Sequence, residues 1–259
     1  GGAYVVSAVF SMLSFVLLVR CPPGATPKAA GAASPFAQIV DGVRYVSARP
    51  HLRRLVVSSF VIIMFGFNYV AFIPALVKGE FGLGDGWVGI IMSASSIGAV
   101  AVGIPLAGRA DGAGVWKLMV GSGLLFGAAV IALGISPLFG IGVLVVVFIG
   151  AGTTGYQSLS NSIALNMTSD SHQGRVQSLM MLSFAGFGIA AAPLGLLAEV
   201  IGLRQTIALM GAVTLATAVG YGVLERNVQA EIERGLRPDE PASAEPVSSS
   251  VRPARPARR

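Results

Sequence analysis

The sequence predicts an all-helical membrane protein of seven transmembrane helices, the last six arranged as two inverted groups of three. Three observations predict it. Hydrophobic residues make up 54% of the chain and charged residues 12%, about half the roughly 25% charge of a soluble domain. The apolar residues gather into seven long runs free of Asp, Glu, Lys, Arg and His, each near the roughly 20 residues that carry a helix across about 30 Å of hydrocarbon. Finally, one stretch recurs: Met92, Ser95, Gly98, Pro105 and Leu106 map at a constant offset onto Met180, Ser183, Gly186, Pro193 and Leu194. The copies lie three spans apart and so run in opposite directions, the inverted-repeat plan of secondary transporters.

Residues 1–19 form the first span, closed by Arg20 and the Cys21-Pro22-Pro23 break. The opening GGAYVV has neither an initiator methionine nor the charged n-region of a signal peptide, so the sequence is expected to be the C-terminal part of a longer protein. Residues 20–54 form a linker that begins rich in Pro, Gly and Ala. Within it Phe36, Ile39, Val40 and Val43 recur at i, i+3, i+4 and i+7, with Asp41 and Arg44 off that face and Ser34-Pro35 at the start. Such an amphipathic helix lies in a membrane interface rather than crossing it.

The six-helix part, residues 55–224, contains Leu55 to Val77, Trp87 to Ala107, Leu118 to Ile135, Leu138 to Leu165, Val176 to Leu197 and Thr206 to Leu224. The fourth of these exceeds the bilayer, so its end tilts or protrudes. Residues 225–259 are charged, then rich in Pro, Ala, Ser and Arg, and are expected to be disordered because they cannot bury a core. All but Lys78 and Arg204 of the 18 Lys and Arg fall in one alternate set of connections: the linker, the Arg109–Lys117 loop, the Arg175 loop and the tail. Basic connections face the cytoplasm, which places linker and tail on that side of a multi-pass cell-membrane protein.

The net charge of +6 is segregated into loops and tail beside the apolar runs, so it marks lipid topology and no nucleic-acid partner is expected. A single cysteine, Cys21, and two histidines outside the spans, His51 and His172, leave no metal cluster and no cofactor to expect. No paired carboxylates or activated nucleophile lie at membrane depth, so an enzyme is not expected.

Neutral polar residues inside the spans are the candidates for a substrate cavity. Asn68, with Tyr69 beside it, sits mid-span, where an amide must bond another helix or face a wet cavity. Thr153, Gln157, Ser160 and Asn161 fall at i, i+4, i+7 and i+8, one face of a helix, with Tyr156 adjacent. Thr153, Tyr156 and Gln157 are expected to line the cavity; Ser160 and Asn161 are expected to mark the helix emerging into water. Interhelical glue is the competing role for Asn68. Gly98, Pro105, Gly186 and Pro193 are read as helix-packing positions, as are Gly123 and Gly127. Arg109, Asp111 and Arg175 are expected at a cytoplasmic gate, with topology-setting charge as the alternative.

Three segments carry a family resemblance. Gly108-Arg109-Ala110-Asp111 with Lys117 resembles the Gly-x-x-x-Asp-Arg-x-Gly-Arg-Arg loop of major facilitator superfamily transporters, although Gly112 stands where the family has arginine. His172-Gln173-Gly174-Arg175-Val176-Gln177-Ser178-Leu179 is similar to the family's Arg-Gly-Arg-Val-x-Ser-Leu start of helix eleven. Gly42-Val43-Arg44-Tyr45-Val46 with Arg49-Pro50-His51-Leu52-Arg53 resembles the linker of the branch holding the enterobactin exporter and macrolide efflux proteins. The resemblance implies helices six to twelve of twelve, the last six forming one half of a major facilitator fold, and a missing N-terminal half as partner. It implies a secondary active transporter exporting small amphipathic substrates such as drugs or siderophores by proton-coupled alternating access. With no ionisable residue in the spans as drawn, the proton-binding group is expected in the missing half. Import of a small metabolite and a non-transporting scaffold or sensor are the other readings.

Overall fold

The computed structural model describes residues 2–20, 35–107, 114–169 and 172–226, all of whose regular structure is helical. The chain divides into two compact units, Gly1–Gln38 and Ile39–Arg259. The first holds α1 (Gly2–Arg20), with a continuous apolar stretch over Ala8–Leu17. Helix α2 (Pro35–Ser47) begins in the first unit and continues into the second.

The second unit contributes six helices long and apolar enough to cross a membrane: α3 (Pro50–Glu80), α4 (Asp85–Ala107), α5 (Val115–Ile135), α6 (Phe139–Asn166), α7 (Gln173–Ile201) and α8 (Leu203–Leu224). Helix α5 is the centre, packed along α6 on one side and α8 on the other, while α4 lies along the far side of α6. In a membrane no hydrophobic effect draws helices together, so close backbone approach supplies the attraction, and small residues permit it. Gly98 of α4 faces the Val147 carbonyl so closely that a methyl group would overlap it, and Gly150 of α6 faces the Ser95 carbonyl in the same way. The same device joins α5 to α8, where a Cβ on Gly127 would come within 2.6 Å of the Leu215 nitrogen. Gly123 lies against Tyr156 and Ala218. Gly186 of α7 packs on the Phe60 ring of α3, whereas Pro105 and Pro193 are exposed helix-interior prolines.

Helix α3 departs from the simple span drawn from Leu55 to Val77. It starts at Pro50, whose fixed φ and missing N–H suit a first helical turn, and therefore includes His51, Arg53 and Arg54. It is interrupted by a wide π turn at Ile62–Gly66, a break at Phe67 and Asn68, and a second π turn at Leu76–Glu80 beyond Pro74. Gly66 explains the first interruption. A Cβ there would lie 2.7 Å from the Phe126 ring and 2.9 Å from the Thr214 hydroxyl, so the turn is pressed onto α5 and α8. A π turn is a single widened turn of this kind, often found where a helix does something besides span.

Candidate functional site

A narrow cleft opens where α3, α6 and α7 meet. Ile63 and Phe67 come from α3, Tyr156, Gln157, Ser160 and Asn161 from α6, and Met180, Met181 and Phe184 from α7. The Phe67 ring lies edge-on to Phe184 at 6.0 Å and to Phe126 at 5.5 Å. The lining combines hydroxyl and amide groups with aromatic and thioether surface, and carries no charged side chain.

Of the cavity residues expected from the sequence, the cleft gathers Tyr156 and Gln157. Tyr156 is buried and shares a hydrogen bond with Ser59 of α3 at 3.2 Å; Gln157 is half-buried. Ser160 and Asn161 correct the expectation that α6 emerges into water there. Ser160 is buried, donating to the Gln157 carbonyl at 3.1 Å, and both residues line the cleft. The reason is that α7 packs beside this stretch of α6 and covers it.

Asn68, Tyr69 and Thr153 lie outside the cleft lining. Asn68 is fully buried, and its amide donates to the Met64 carbonyl at 2.5 Å and to the Phe187 carbonyl of α7 at 3.2 Å. It ties the break in α3 to the middle of α7, with its own carbonyl oxygen buried and without a partner among the described residues. Tyr69 is buried edge-on to Phe126, its phenol beside Ser95 of α4. Thr153 donates to the Ile149 and Gly150 carbonyls of its own helix at 2.9 and 3.0 Å.

At one end of the bundle Arg175 pairs with Asp41 of α2. Tyr45 stacks on His172 with ring centroids 4.1 Å apart, and its phenol oxygen accepts from the Ser169 backbone N–H at 3.1 Å. The Arg49 guanidinium lies 3.6 Å above the Tyr45 ring. The sequence-derived gate residues Arg109 and Asp111 lie outside the described residues.

Two charged ties escaped the sequence reading. Glu225, placed there at the start of the tail, is 1% exposed, and its carboxylate accepts from Arg54 at 2.7 Å and meets His51 Nδ1 at 2.8 Å. At the opposite end Arg204 of α8 donates to Glu80 at 2.7 Å and to the Ser136 carbonyl at 2.5 Å, with Phe81 beside it. The one signal in the sequence was a single acidic residue directly after the last apolar run, which reads equally well as solvated charge. No group of His, Cys, Asp and Glu able to hold a metal ion occurs among the described residues.

Comparison with known proteins places this architecture. Residues 55–256 match the Major Facilitator Superfamily. The staphyloferrin A transporter of Staphylococcus aureus is 21% identical over 224 residues, covering 85% of this chain and 55% of the relative. The crystal structure of the E. coli fucose:proton symporter superposes with a TM-score of 0.62 at 13% identity, over 85% of this chain and 54% of that one, a likeness of fold. The chain thus spans about half the length of each protein it resembles. With most of its length, the apolar helices α4 to α8 and all but the first turn of α3 inside the family match, the chain belongs to the Major Facilitator Superfamily, whose members are membrane transporters and not enzymes.

Proposed function

We propose that the chain forms one half of a secondary active transporter that exports small amphipathic molecules, with α3, α6 and α7 supplying a wall of the cargo cavity. The observation that carries this reading is the uncharged cleft, where hydroxyl and amide groups sit among Phe67, Phe184, Met180 and Met181. Methionine and aromatic surface adapts to varied apolar shapes, while a few neutral polar groups orient a ligand. A cargo with fixed charge has to find its counter-ion elsewhere in the protein. The relative named for staphyloferrin A transport favours a siderophore-type molecule among such cargoes.

The two copies of the repeated stretch lie in α4 and α7, and these helices are only 17% buried over their apolar windows, against 39% to 50% for the other four spans. Both are exposed over most of those windows among the described residues, which supports the pairing of α3–α5 with α6–α8 as inverted triplets and a further set of helices packing against them. The linker and tail face the cytoplasm in this reading, and the proton-binding group belongs to the other half.

The test is efflux of a fluorescent amphipathic dye from vesicles carrying the full-length parent, with and without a proton gradient. Gradient-dependent extrusion that falls about tenfold in Gln157→Ala, roughly the loss of one strong hydrogen bond to cargo, at unchanged abundance, supports the reading. Extrusion indifferent to both gradient and Gln157 overturns the proton-coupled mechanism and the assignment of the cleft.

A further inference from the structure

Helix α2 is amphipathic, but its polar side is the docked one. Asp41 pairs with Arg175, Tyr45 stacks on His172 and bonds Ser169, and Gly42 fits against the Arg175 and Leu179 side chains, all at the α6–α7 connection and the first turns of α7. The opposite stripe is bare up to its last member: Ile39, Val40 and Val43 are 39%, 50% and 51% exposed, while Val46, one turn after Val43, is buried in the core. A surface helix on a water-soluble protein does the reverse, burying its apolar stripe and wetting its polar one. A helix held by its polar side and by Val46 at its end, with the rest of its apolar stripe free, faces an apolar medium.

We propose that α2 docks on an anionic lipid surface, with Ile39, Val40 and Val43 at the boundary of acyl chains and headgroups and Arg44 meeting headgroup phosphates. Position and charge select the bilayer as occupant. Only Ala48 and Arg49 separate α2 from the first residue of α3, so the stripe sits at the level where a span leaves the hydrocarbon. Arg44, one turn after Val40, and Arg53 on the first turn of α3 are both exposed, and neither pairs with a carboxylate among the described residues. Apolar side chains flanked by unpaired arginines are the pattern that partitions into anionic interfaces. The docking rests on the reading of α3–α8 as membrane spans and is independent of cargo and direction. Its consequence is mechanical: the helix seated on lipid also carries Asp41 and Tyr45, so lipid contact holds the α6–α7 connection in place.

The experiment uses the full chain in a Cys21→Ser background, with a bimane label on Val43→Cys or, as a reference, on Ile97→Cys, whose position on α4 is among the exposed apolar ones. Each is reconstituted into phosphatidylcholine vesicles with or without phosphatidylglycerol, and quenching by acyl-brominated lipid is measured. Lipid quenching at position 43, stronger with phosphatidylglycerol and with a seated-to-free ratio falling about fivefold in Arg44→Gln, is the expected result. Quenching at 97 but not at 43 overturns the docking alone. No quenching at either position overturns the membrane spans beneath it. Equal quenching at 43 in both vesicle types, unmoved by Arg44→Gln, overturns the role of anionic headgroups.

Discussion

Replacing Glu225 with alanine tests whether the end of α8 is fastened to α3 by charge. The carboxylate is 1% exposed, while its partners Arg54 and His51 are 41% and 18% exposed. Removing one member of a fully buried pair costs about 3–5 kcal/mol, because the other charge is stranded. Here the groups left by Glu225→Ala, Arg54 and His51, already reach water, so less is stranded. The Arg54 contact is discounted toward the roughly 0–1 kcal/mol of a wet pair, and the His51 contact retains most of the roughly 1.5–3 kcal/mol of a charged hydrogen bond. Together they predict a loss of about 2–3 kcal/mol. For a domain of this size that is a fall in apparent Tm of roughly 5–10 °C, measured in detergent at one fixed scan rate because such melts are commonly irreversible. Glu225→Gln, which keeps the shape and loses the charge, should fall between. The revealing comparison is the His51→Ala, Arg54→Ala double variant, which leaves the carboxylate buried and alone and should therefore be worse than Glu225→Ala. If Glu225→Ala melts within a degree or two of the parent, or the double variant is the milder, the carboxylate is hydrated and the tie carries no stability.

Three further outcomes follow from the packing. Gly98→Val and Gly150→Val should each separate α4 from α6 and abolish monodisperse protein on size exclusion, whereas Gly89→Val, with open space around it, should behave as the parent. Asn68→Ala removes the bonds to Phe187 and Met64 along with a buried oxygen that has no partner among the described residues; the effects oppose, so a loss of no more than about 1 kcal/mol is expected, and a drop above about 3 kcal/mol in the same melting assay would show a larger network at the break. Lys78→Ala breaks a pair whose members are 54% and 84% exposed and should shift stability by less than about 0.5 kcal/mol, while Arg204→Ala, which unseats Glu80 and the Ser136 carbonyl, should cost about 1–3 kcal/mol.

Six of the seven expected spans were legible because hydrocarbon imposes one simple rule on length and polarity, and each of those six apolar runs obeys it; the described apolar stretch of α1, Ala8–Leu17, is shorter. Gly98 was legible because it recurs with the repeat. The start of α3 was not: His51, Arg53 and Arg54 read as linker by charge, although Pro50 opens the helix before them and the buried Glu225 holds His51 and Arg54 on its first turns. The π turn at Ile62–Gly66 has no signature of its own, since it follows from Gly66 being wedged between Phe126 and Thr214. Ser160 and Asn161 were misplaced for a related reason, as a polar helix end looks the same whether it meets water or α7. Asp41 and Arg175, like Tyr45 and His172, are far apart in the chain, and spacing alone cannot pair residues that only the docking of α2 brings together.

The ties on α3 differ in kind along its length. Its two ends are joined to the end and the start of α8 by ion pairs, Arg54 to Glu225, with His51 hydrogen-bonded to the same carboxylate, at one end and Glu80 to Arg204 at the other. Its middle is joined to α7 by the neutral amide of Asn68 on the Phe187 carbonyl, with aromatic and apolar contact around it. A neutral hydrogen bond contributes about 1 kcal/mol net, and a charged one in a shielded setting about twice that. The Phe187 carbonyl loses little when the amide leaves, because it lies inside a continuous helix and keeps its backbone donor. Parting α3 from α7 is therefore less costly than parting α3 from α8, and the α3–α7 seam forms one edge of the cleft. The widened turn at Ile62–Gly66 and the break at Phe67 and Asn68 lie on that seam. The fold thus concentrates its compliance beside the uncharged cleft and its electrostatic strength at the membrane boundaries, where charge can be paired and still reach water.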